Sequence, residues 1–121
     1  MIKIIFCTFL FLTSPLALAQ ESKNYDKMIC SAFYVKELSQ VVERENRNDK
    51  FKHCALSCML TLRCGSYDAF SIGLLKEFLD LLGMGTPEID DLKANRYGIK
   101  LVNSKEAAND DECLNLCSLR Y

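Results

Sequence analysis

"FKHCALSCMLTLRCG", residues 51–65, gathers three cysteines and the chain's only histidine into one turn-free run. Phe51, Cys54, Ala55, Cys58, Met59 and Leu62 recur at helical spacing, and Gly65 supplies a stop. Cys54 and Cys58 are four residues apart, so on a helix both sulfurs point the same way and the pair is badly placed to bond to itself. The same C-x3-C spacing returns at Cys113 and Cys117. Two such helices side by side form a two-rung ladder. Antiparallel packing gives Cys54–Cys117 and Cys58–Cys113, and parallel packing swaps them. We favour antiparallel, the common arrangement of neighbouring helices in small bundles. Cys30 and Cys64 then remain to tie the first helix to the end of the second.

The compartment follows from the other end of the chain. Lys3, an apolar run from Ile4 to Leu12, a break at Thr13-Ser14-Pro15 and small residues at Ala17 and Ala19 make a secretory signal peptide, residues 1–19. The run is too short to span a bilayer. Cleavage takes Cys7 and Lys3 away. It leaves a cysteine-rich domain, 20–121, with six cysteines and a net charge of −2. An even cysteine count in a small exported chain reads as a disulfide framework, and the chain is expected to be secreted or periplasmic. Such a charge balance argues against nucleic acid as a partner.

Helical periodicity also covers Asn24 to Arg44, and "ERENRNDK", 43–50, reads as a charged connector. Ser66 is placed to cap a third helix, "YDAFSIGLLKEFLDLL", 67–82. Its apolar residues cover most of the circumference, with Lys76, Glu77 and Asp80 as the solvated strip, so it is expected at the centre of a bundle or, as the lesser alternative, under a partner. Thr86-Pro87-Glu88 starts a fourth helix running to Tyr97, with Gly98 as a left-handed C-cap and "IKLV", 99–102, extended or irregular. Asn109 and Glu112 form a capping box before a last helix. The fold class is all-α: a small disulfide-stapled bundle of four to five helices.

For chemistry, His53 is the residue to weigh. A zinc site would pair it with Cys54, Cys58 or Cys64, but exported thiols oxidise, and the staple reading outweighs the metal reading. A nucleophile reading would pair His53 with Cys54, yet adjacent helical side chains point about 100° apart. No G-x-S-x-G, H-E-x-x-H or phosphate-binding glycine loop is present. No catalytic residue, metal ligand or cofactor is therefore assigned. In "DLKANRYG", 91–98, Asp91 and Asn95 share one helix face, and Asn95 is expected to bond backbone near the helix end. His53, Asn95 and Arg96 stand as the possible functional residues.

"DKFKH", 49–53, Gly65, Glu77 and "DLKANRYG", in that order, resemble the serum amyloid A family over about half of the mature chain. The resemblance implies a small secreted four-helix bundle that binds lipid and apolar ligands. This cysteine framework is absent from that family, and the family's arginine- and glycine-rich middle is absent here. Three functions follow in order of preference: a non-catalytic interaction module such as an inhibitor, immunity-type or surface domain; a carrier of lipid or another apolar ligand; and a small hydrolase using His53.

Overall fold

The computed structural model describes residues 15–121, so most of the leader expected at 1–19 lies outside the described residues. The architecture is five α-helices with three disulfides, and the described residues contain no strand. In chain order they are α1 (Pro15–Arg44), α2 (Asp49–Cys64), α3 (Ser66–Leu79), α4 (Ile89–Asn103) and α5 (Asp110–Arg120). No described helix is long and apolar enough to cross a membrane.

The central element is α2, not α3. It packs against each of the other four helices. Phe51, Cys54, Ala55, Ser57, Cys58, Met59, Leu60, Thr61 and Cys64 are all buried on it. The Asn48 side chain accepts the Phe51 N–H (2.9 Å) at its start, and Gly65, at φ 89°, ends it. Gly65 reaches a region that side-chain-bearing residues avoid, and so turns the chain directly into α3. Ser66 does not cap α3; its hydroxyl donates to Asn103 instead (2.7 Å). A widened last turn, Asp80–Met84, follows α3, with Gly83 at φ 95°.

The fourth helix is longer than expected and starts later. Glu88 is its N-cap, without a side-chain bond, and "IKLV" continues the helix to Asn103. Gly98 is not a C-cap. It lies buried in mid-helix, where a β-carbon would stand 2.1 Å from the Cys54 carbonyl oxygen. Glycine here is a matter of clearance: it lets α4 press onto the backbone of α2.

The sulfurs join Cys30 to Cys64, Cys54 to Cys117 and Cys58 to Cys113, with Cα–Cα distances of 5.7, 5.8 and 5.7 Å. Thus α5 runs antiparallel to α2 along a two-rung ladder whose four sulfurs are fully buried. Asn109 accepts the Glu112 N–H (2.9 Å), and Glu112 reaches back to the Ala108 N–H (2.6 Å), one residue before the position of a standard capping box.

Beside this cap, Arg63 grips Asp110 with two parallel hydrogen bonds of 2.7 and 2.6 Å. The Arg63 hydrogen bond holds the Asp110 carboxyl below its ordinary value near 3.8, against a partial burial that works the other way. A depressed carboxyl contributes stability above its unfolded pKa and loses it as pH falls through the folded one. We expect Asp110→Asn to cost about 0.5–1 kcal/mol at pH 7, discounted for partial exposure, and nothing at pH 2. Urea denaturation of both proteins across that range checks this; an equal gap at both ends would disprove it.

Candidate functional site

The third helix is turned the opposite way from its hydrophobicity. Asp68, Glu77 and Asp80 are 1 %, 6 % and 9 % exposed, whereas Leu74, Phe78 and Leu81 are 48 %, 55 % and 69 % exposed. The expected solvated strip is therefore inside, apart from the Lys76 side chain, and the apolar face is outside. Local partners make this possible. The Asp68 carboxylate accepts the Ser31 backbone N–H of α1 (2.7 Å). Glu77 accepts the Glu88 N–H (3.0 Å), an orphan donor at the start of α4, and Asp80 pairs with Lys76 one turn back (2.7 Å). Buried carboxylates supplied with donors in this way no longer drive the helix to turn them outward.

His53 stands where α2, α3 and α4 meet. Its Nδ1 faces Asn95 Oδ1 (3.1 Å) and its Nε2 faces Asp91 Oδ2 (3.2 Å). Asp91 and Asn95 are one turn apart on α4, so the two ring nitrogens bridge them. The Ser57 hydroxyl, one turn after His53, also donates to Asn95 Oδ1 (2.9 Å). Asn95 thus bonds side chains of α2 and not helix-end backbone. Lys50 joins Asp91 (3.3 Å) and Glu88. Lys76 approaches His53 Nε2 (3.5 Å) and Glu77 Oε1 (3.4 Å). Burial works against charge on Lys76, but the Asp80 hydrogen bond and the Glu77 and Asp80 charges outweigh it and raise its pKa. The Glu88 hydrogen bond does the same for Lys50.

Of the three possible functional residues, His53 and Asn95 are in contact, while Arg96 lies apart. Arg96 is exposed and borders a shallow depression with Tyr67 and Phe70. Sequence reasoning passed over Asp91 as the histidine's partner, and Glu77, Asp80 and Ser57 as its neighbours. The one available signal was spacing: His53/Ser57 and Asp91/Asn95 are each four apart. The six cysteines among the described residues offer no metal ligand with His53, since they are bonded to one another in pairs. Among the described residues one oxygen-rich set remains: His53, Glu77 and Asp91 each bring a donor atom within 4.8 Å of the others.

Two further depressions flank α3. On its outer side an apolar groove of about 800 Å³ runs between Leu74, Leu75, Phe78 and Leu81 of α3 and its following turn and Ile89 and Leu92 of α4. On the inner side a cleft of about 270 Å³ has His53, Ser57, Lys76 and Asn95 on its polar wall. No family model, no curated protein and no solved structure matches this chain.

Proposed function

We propose that this protein is a disulfide-stabilised, non-catalytic binding module of an oxidising compartment, secreted or periplasmic, and that the outward face of α3 is its docking surface. The sidedness of α3 carries the reading. Tyr67, Phe70, Leu74, Leu75, Phe78, Leu81 and Leu82 are all exposed along one helix. An exposed apolar patch of this kind marks an interaction surface. Tyr67, Ser71, Leu74, Phe78 and Leu81 recur at alternating steps of four and three, the seam on which another helix packs. The partner that fits is an apolar helical segment of another protein. The Cys30–Cys64 bond, two residues before α3, fixes the origin of this face and lowers the ordering cost of docking. Non-catalytic binding agrees with His53, which is held between Asp91 and Asn95, and with Ser57, whose hydroxyl serves Asn95.

The groove beside α3 favours a second reading, a carrier of lipid or another apolar ligand, which the likeness to serum amyloid A also suggests. Both readings place binding on α3. Leu75→Lys combined with Phe78→Lys is expected to leave stability within about 0.5 kcal/mol of wild type, since both side chains face water. The same pair is expected to abolish capture of a saturable protein partner from the secretions of the producing cells. Retained lipid in native mass spectra of the wild type, absent from the variant, would favour the carrier instead. A wild type and variant with identical captured proteins and no lipid would remove both readings.

A further inference from the structure

We infer that His53, Glu77 and Asp91 form a divalent cation site, of the kind that suits Zn²⁺, which clamps α3 to α2 and α4. The inference is independent of what docks on the outer face of α3. The three residues come from three helices, and one donor atom of each lies within 4.8 Å of the others. One imidazole nitrogen and two carboxylate oxygens are a zinc donor set, with a fourth position left for water.

Each ligand is already oriented by an outer partner, the arrangement that metal ligands need. Asn95 Oδ1 takes the His53 Nδ1 side of the ring and turns Nε2 toward the carboxylates. The Glu88 N–H holds Glu77 Oε2, leaving Oε1 without a main-chain donor. Asp91 is only 3 % exposed, yet its Oδ1 makes no hydrogen bond and meets only the Lys50 ammonium, 3.3 Å away.

Charge makes the same point. Glu77, Asp80, Glu88 and Asp91 converge on two lysines and one imidazole. Four carboxylates with two ammonium groups leave a deficit of positive charge. A divalent cation removes it. On binding, the cation takes the His53 Nε2 lone pair, and any proton carried there leaves to solvent. Lys76 is the present plug. Its ammonium stands 3.5 Å from His53 Nε2 and 3.4 Å from Glu77 Oε1, its side chain is 48 % exposed, and its shortest contact, 2.7 Å, is with Asp80 outside the three ligands.

The test is isothermal titration of Zn²⁺ into untagged, disulfide-intact protein, with Glu77→Gln, Asp91→Asn and Lys76→Met beside wild type. One equivalent is expected to bind and to raise the melting temperature. Glu77→Gln keeps the side chain's size and its bond to Glu88, and is expected to weaken binding at least tenfold, as is Asp91→Asn. Lys76→Met, at an accessible position, is expected to tighten binding several-fold by removing the competing ammonium. Absence of one-to-one binding in both wild type and Lys76→Met would overturn the site. So would an affinity unchanged in Glu77→Gln, which would mark an adventitious surface ion only.

Discussion

Gly98→Ala is expected to destabilise the domain by at least about 3 kcal/mol, far more than a methyl group costs in an ordinary helix, where alanine is the better former. The added carbon would lie 2.1 Å from the Cys54 carbonyl oxygen and 3.0 Å from the Cys58 nitrogen. Both are backbone atoms of the central helix and cannot rotate aside. Nor is α2 free to retreat, because Cys54 and Cys58 are the two residues bonded to α5. The strain must therefore part α2 from α4, and with them the Leu101 and Ala94 packing and the His53–Asp91 contact. Gly73→Ala is the matched control. Its β-carbon would meet the Asn95 side-chain nitrogen at 2.6 Å, a side-chain group that can shift, so about 1 kcal/mol is expected. Urea denaturation under nonreducing conditions measures both. Equal losses would show that helix clearance at Gly98 is not the cause.

That contrast also shows what the sequence conceals. A glycine after Tyr97 reads equally as a helix end or as a crossing point, and only the identity of the facing backbone decides. The ladder was legible because it needs only the four-residue repeat of the helix and a pairing partner with the same repeat. The direction of α3 was not. The rule that charge faces water holds when buried carboxylates have no donors, but Asp68 and Glu77 find main-chain N–H groups on Ser31 and Glu88, and Asp80 finds Lys76. The donors to Asp68 and Glu77 come from residues 37 and 11 positions away, so no helical window contains them; only the Lys76–Asp80 pair is local. His53 was recognisable as the residue to watch. Its partners Asp91 and Asn95 were visible as a pair sharing one face, but the contact between the two pairs is made by the α2–α4 packing that Gly98 permits.

Removing both rungs of the ladder, with Cys54, Cys58, Cys113 and Cys117 all replaced by alanine, is expected to cost about 7 kcal/mol and to leave little of a typical domain's stability. The two rungs are nested, and this makes their single removals small. With Cys58–Cys113 intact, Cys54–Cys117 closes a ring with four residues on each helix, not the 63-residue separation it appears to span. On chain-entropy grounds a ring of about eight residues contributes only about 2.5 kcal/mol. Cys30–Cys64 has no such neighbour, and closing its separation of 34 contributes about 4 kcal/mol. The order of effects thus runs against loop length: the paired Cys30→Ala/Cys64→Ala variant is expected to be less stable than Cys54→Ala/Cys117→Ala. Nonreducing urea melts of these variants decide it. If the Cys54–Cys117 variant is as unstable as the Cys30–Cys64 variant or more so, the rungs act independently, and the ladder does not hold α5 to α2 as one unit.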